Sequence, residues 1–173
     1  MTLSRDLEET LKRAYEQAKR RRHEFITLEH ILLELTYDPD AGDVLAGCGV
    51  DLDDLRSRLE EFFDENMPPI DSEYLPDPQY SAGSQFVLRL AAMHAESAEK
   101  SQINGGNILV AMFRVDESHA VYLLTEQGIN RYDIVQYISH GGSKYSGKEK
   151  STSIAKTDSE TQQKPKDPLG EFC

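Results

Sequence analysis

LKRAYEQAKRRRHEFITLEHILLEL, residues 11–35, and LRLAAMHAESAEKSQINGGNILVAM, residues 88–112, run in one register. Leu11, Ala14, Ala18, Ile26, Thr27, Ile31 and Leu32 meet Leu88, Ala91, Ala95, Ile103, Asn104, Ile108 and Leu109 at a constant offset of 77. Past the next turn the offset becomes 79. There Ala41, Leu45, Gly49, Val50, Leu55 and Leu59 meet Ala120, Leu124, Gly128, Ile129, Ile134 and Ile138. A two-residue insertion in a loop is ordinary, whereas a shared register over some 50 residues is hard to reach by chance. The chain therefore reads as two tandem four-helix repeats, about eight helices, related by a pseudo-twofold axis. No segment carries strand alternation of useful length, so the class is all-α.

Local signals fill in each repeat. Leu7, Leu11, Ala14, Tyr15 and Ala18 define one face of a long first helix. Thr27 is placed to cap a second helix with Leu28, Ile31, Leu32 and Leu35 inward. Pro39 and Gly42 bound a short third helix around Val44 and Leu45, and Asp51 caps a fourth bearing Leu52, Leu55, Leu59, Phe62 and Phe63. In the second repeat the same reading gives a long helix facing inward through Phe86, Leu90, Ala91, His94, Ala95 and Ala98. An Asn104 cap follows, then Ile108, Leu109, Met112 and Phe113, and a short helix with Ala120, Val121, Leu123 and Leu124. Gly128 suits a helix end, and Asn130 caps a last helix with Ile134, Val135 and Ile138. The repeats span about 1–65 and 83–140, joined by 66–82, which holds four of the seven prolines.

Composition limits what such a molecule does. The 173 residues are 38% hydrophobic and 29% charged, with 31 acidic against 19 basic residues and a net charge of −12. The charge is uneven: residues 1–140 carry 13 bases against 26 acids, so the body stands at −13. Nucleic acids and anionic membranes need clustered Lys and Arg, so neither is an expected partner. The longest apolar run, Ile108 to Phe113, falls far short of the ~20 residues of a membrane span. Two distant cysteines, Cys48 and Cys173, and no secretory signal point to a reducing, cytoplasmic setting. Residues 142–168 are polar and read as a flexible tether, after which Leu169 to Cys173 turn apolar and stop, as if cut short.

No catalytic or metal constellation emerges. Gly142-Ser-Lys-Tyr-Ser-Gly147-Lys148-Glu149 approaches a phosphate-binding loop, but Glu149 stands where magnesium needs a hydroxyl and no buried strand precedes it. His23-Glu24 lacks the second histidine of a zincin, since position 27 is Thr. The five histidines read as ordinary surface or half-buried side chains, and Cys48, near Leu45 and Val50, as a small buried hydrophobe. No enzyme activity, cofactor or metal is expected within these residues.

Two strings carry a family resemblance. Arg22-His23-Glu24-Phe25-Ile26-Thr27-Leu28-Glu29-His30-Ile31-Leu32-Leu33-Glu34-Leu35 resembles the first-repeat signature of the Clp N-terminal domain. Asn107-Ile108-Leu109-Val110-Ala111-Met112-Phe113 resembles its second. Arg-His-Glu-Phe and the ending Tyr137-Ile138-Ser139-His140-Gly141 are most similar to the ClpA branch, over residues 1–141. The resemblance implies a monomeric, non-catalytic N-domain of an AAA+ unfoldase. Residues 169–173 would then begin the first ATPase module, and ATP and magnesium would belong to modules beyond this chain. It further implies docking of a ClpS-like adaptor that brings N-degron substrates, contact with unfolded protein, and delivery to ClpP through the parent hexamer. The family's adaptor-facing positions correspond to Glu24 and Glu29, with His23, Thr27 and Leu28 beside them. A tether such as 142–168 would span about 25–30 Å and raise the effective concentration of cargo. The competing expectations are a ClpC- or ClpB-type domain that binds clients directly, and a free-standing Clp-repeat interaction protein.

Overall fold

The computed structural model describes residues 2–140. The expectations for 142–168, for 169–173 and for the Gly142–Glu149 string lie outside the described residues. The described residues form eight helices: α1 (Arg5–Arg20), α2 (Leu28–Leu35), α3 (Pro39–Gly47), α4 (Leu52–Asn66), α5 (Ala82–Ser97), α6 (Gly105–Met112), α7 (His119–Glu126) and α8 (Arg131–His140). The fold is all-α. Two units divide the chain, residues 1–136 and 137–173; the first contains α1 to α7 and most of α8, and the second begins with the last turn of α8.

The expected caps form. Thr27 and Asn104 each complete a capping box, with His30 and Asn107, while Asp51 and Asn130 accept the amides of Asp54 and Asp133. Gly49 and Gly128 take positive φ at equivalent helix ends, where a side chain would be strained. At the ends of α1 and α5 the same left-handed position holds Arg22 and Glu99 (φ 61 and 59), again 77 residues apart. The amides of His23 and Lys100 then reach back to the carbonyls of Ala18 and Ala95 at 2.9 Å. Sequence spacing announces none of this, because neither residue is a glycine.

Four two-residue strands interrupt the helices: β1 (Thr2–Leu3), β2 (Phe25–Ile26), β3 (Gln79–Tyr80) and β4 (Gln102–Ile103). They pair across the repeats, β1 with β4 and β2 with β3, both parallel. The pairs are pseudo-equivalent, since β1 and β2 map onto β3 and β4 at the same offset of 77. The connection 66–82 thus contains a strand and, in Ser81, the N-cap of α5. Helix α2 packs on α7, and α3 on α6, so the core runs through both repeats.

Two inner faces differ from the sequence reading. On α5, Ser84, Val87, Ala91 and Ala95 are buried, while Phe86 and Ala98 face solvent. The adjacent Phe86, Val87 and Leu88 leave the helical phase ambiguous, and alignment with Leu7 and Ala14 of α1 decides it in favour of Ser84 and Ala91. On α8, Ile134 is buried but Ile138 is exposed. No helix among the described residues is long and apolar enough to cross a membrane.

Candidate docking site

The Schellman-type end of α1 turns the chain sharply at Arg22 and sends it back along α2. Residues 23–29, which carry every expected docking residue, occupy this turn. The guanidinium of Arg22 binds the carbonyls of Ile70 and Ser72, and its own carbonyl accepts the Ile70 amide at 2.8 Å. The start of the inter-repeat connection is held beside the turn as a result.

Exposure changes abruptly along the turn. Ile26 is buried, whereas Glu24 is exposed and Phe25 retains 46% of its surface. Thr27 is half-buried as the cap of α2, and Leu28 is buried. His23 and His30, read from sequence as ordinary surface or half-buried histidines, are both buried and bonded to each other. Seven residues apart, they share no helix face; the reversal at Arg22 is what brings them together.

The hydrogen bonds define their tautomers. The Met67 carbonyl, 2.8 Å from His23 Nε2, must receive that nitrogen's proton. His23 Nδ1 therefore accepts from His30 Nε2, also at 2.8 Å, and His30 Nδ1 accepts the Thr27 amide at 2.9 Å. Both rings are neutral. Burial, then the neighbouring His23 and Arg21, pushes the His30 pKa down to about 3, and burial lowers that of His23. Phe63 stacks on His30 at 4.7 Å, with the Arg21 guanidinium 4.4 Å from the same ring centroid.

Glu29 departs furthest from a solvated rim charge. It is buried, and Oε2 accepts the backbone amide of Ala120 at 2.8 Å, in the first turn of α7. A carboxylate there satisfies an otherwise orphaned amide and complements the positive helix end. The residue ties repeat one to repeat two. Of the five expected residues, Glu24 alone is exposed, and Phe25, which the sequence reading left out, follows it in the chain and is exposed too. Its position just outside the periodic helices was the available signal.

Fold and edge together define a helical two-repeat module with a solvent-facing acidic and aromatic edge at Glu24 and Phe25. The chain belongs to the Clp repeat (R) N-terminal domain family, whose model matches residues 2–127. A ClpA homolog protein of Fuscovulum blasticum is 39% identical over 175 residues, covering 98% of this chain and 21% of its own length. The chain therefore spans about a fifth of that relative. The N-domain of ClpV from Vibrio cholerae superposes with a TM-score of 0.69 at 23% identity, covering 83% of this chain and 86% of that one. A ClpV N-domain solved in complex with a VipB peptide gives 0.64 at 23% identity, covering 80% and 85%.

Proposed function

We propose that this chain is the recruitment domain of a ClpA-type AAA+ unfoldase in the cytoplasm. It docks a ClpS-like adaptor carrying N-degron substrates, and the parent hexamer passes them to ClpP. Residues 142–168 serve as the tether and 169–173 as the lead-in to the first ATPase module. The observation that carries the reading is the open Glu24–Phe25 edge on the turn before α2, in a chain that is similar to a ClpA homolog over nearly its whole length. Glu24 supplies orientation and association rate, and Phe25 the desolvated contact area. His23, Thr27, Leu28 and Glu29 hold the edge in shape from beneath.

Titration calorimetry of the 173-residue chain with a ClpS-type adaptor tests this. Binding weakened by salt is expected, and Glu24→Lys should lower affinity about 5–10-fold with an unchanged melting temperature. Glu29→Lys should instead lower the melting temperature, because it places an ammonium against the amino end of α7. An affinity indifferent to Glu24→Lys removes the edge from the docking site.

A second reading, direct capture of client polypeptide, is favoured by the outward-facing apolar residues of α5 and by the likeness to a domain solved with a bound peptide.

A further inference from the structure

The offset of 79 that relates the short helices of the two repeats picks out one outward face that differs in kind. His119 and Tyr122 of α7 stand where α3 carries Asp40 and Asp43. Exposure is matched at both pairs: Asp40 and His119 are half-buried, Asp43 and Tyr122 exposed. Packing thus accepts carboxylates at these positions in one repeat, and the other repeat presents rings there. Phe62 of α4 completes the group. Its ring stacks on His119 with centroids 4.2 Å apart and 14° between planes, and Tyr122 lies against His119 at 5.2 Å. Tyr122 keeps 54% of its surface in water, so burial within the domain does not account for it.

The rings sit on a fixed base. Phe62 meets His119 near the end of α4, and Asp54 near its start accepts from Gln127 Nε2 at 2.8 Å, so α4 and α7 run antiparallel. Glu29 holds the first turn of α7 through the Ala120 amide, beside His119. Charge around the rings is uneven. Arg58 Nε donates to Asp54 Oδ2 at 2.8 Å, while Glu126 and Glu61 act on the same guanidinium through space. Three carboxylates therefore share one cation. Glu126 lies one helical turn from Tyr122, as Arg58 does from Phe62. The face of an aromatic ring is electrically negative, so an incoming cation is attracted by the rings and by the carboxylates together. A purely apolar ligand would leave the carboxylates unmatched, and an anion would be repelled.

We propose that the Phe62–His119–Tyr122 face of α4 and α7 docks an arginine-bearing segment of a partner protein, its guanidinium on the Tyr122 ring and paired with Glu126. Arginine suits the face better than lysine, because a planar guanidinium stacks on a ring and forks to a carboxylate at once. None of these side chains belongs to the Glu24–Phe25 edge, so the inference does not rest on the adaptor reading. It gives the second repeat a ligand face that the first lacks, since α3 presents carboxylates alone.

The test is nuclear magnetic resonance titration of the isotope-labelled 173-residue chain with a synthetic Gly–Ser peptide carrying two arginines, at about 0.15 M salt. Amide shifts should saturate and concentrate at residues 58–66 and 118–127, and a peptide with citrulline in place of arginine should give none. Tyr122→Asp copies Asp43 at an exposed position, so it should fold; circular dichroism and melting check this, and Tyr122→Ala serves as the uncharged form. Each should weaken binding about two- to fivefold, the Asp variant in spite of its added negative charge. Glu126→Gln should weaken it as well, and Glu24→Lys should leave it unchanged. Equal or tighter binding to folded Tyr122→Asp, or shifts spread over the whole acidic surface, would show attraction by net charge alone and overturn the proposal. Loss on Glu24→Lys without loss on Tyr122→Asp would assign the peptide to the other edge, with the same consequence. Dimerisation abolished by Tyr122→Asp, without peptide shifts, assigns the face to a second copy and overturns it too.

Discussion

Thr27, His30, His23 and Met67 form a hydrogen-bonded relay in which each ring uses one nitrogen as donor and the other as acceptor. A proton added to either ring puts two donors face to face and charges a buried group. The folded-state values lie below the ~6.5 of an exposed histidine, so the unfolded chain binds more protons between about 6.5 and about 3. Stability therefore rises with pH across that window and falls on acidification, by up to about 1.4 kcal/mol per pH unit from His30, with His23 acting in the same direction. Urea unfolding between pH 7 and pH 5, above the usual carboxylate range, should show that loss, and His30→Gln should flatten it. Parallel slopes would remove the relay from the pH response. Sequence spacing predicts the Thr27 cap but not the relay. The cap depends on neighbours in the chain, whereas the relay depends on the turn that Arg22 makes in a conformation more usual for glycine.

Helix α6 opens Asn104-Gly105-Gly106-Asn107, where α2 opens Thr27-Leu28-Glu29-His30. The difference matters because α6 meets α3 more closely than side chains allow: a Cβ on Gly105 would fall 2.4 Å from Asp38 Oδ2 and 3.0 Å from the Ala41 Cβ. Asp38 cannot yield cheaply. It is buried, caps α3 through the Ala41 amide at 2.9 Å, and accepts the Thr10 hydroxyl at 2.7 Å. Gly105→Ala should destabilise the domain by about 1–3 kcal/mol in chemical denaturation, although alanine is the better helix former. The reverse holds at the end of α5. Glu99→Gly should stabilise by about 0.5–1 kcal/mol, relief of the left-handed strain at φ 59 outweighing the added freedom of the unfolded chain. A loss there would mean that Glu99 makes a contact outweighing its strain. Long amphipathic faces and polar caps were readable from periodicity, since each is set by one helix burying one side. The two-residue strands were not, because they are too short to show alternation, and the phases of α5 and α8 stay ambiguous in the sequence where apolar residues lie side by side.

Cohesion between the repeats comes from elements that neither repeat completes alone. β1 of the first pairs with β4 of the second, and β2 with β3, so each repeat's strands find partners only in the other. Glu29 satisfies an amide of α7 from 91 residues away, the Ser84 hydroxyl donates to the Ile26 carbonyl at 2.8 Å, and Arg22 grips the connection through Ile70 and Ser72. Separating the repeats would expose the α2–α7 and α3–α6 contacts and leave these polar groups unpaired, at about 1–3 kcal/mol for each buried one. The pattern visible in the sequence suggests two modules, and symmetry alone would allow them to fold independently. The exchanged strands argue for one cooperative unit with a divided exterior: charged along α1, apolar along α5. Unfolding followed by far-ultraviolet circular dichroism and by tyrosine fluorescence should therefore give coincident transitions, and a fragment ending at residue 66 should lack stable helix. Two resolved transitions, or a folded first-repeat fragment, would show that the exchanged strands contribute little, and that the repeats behave as beads on a chain.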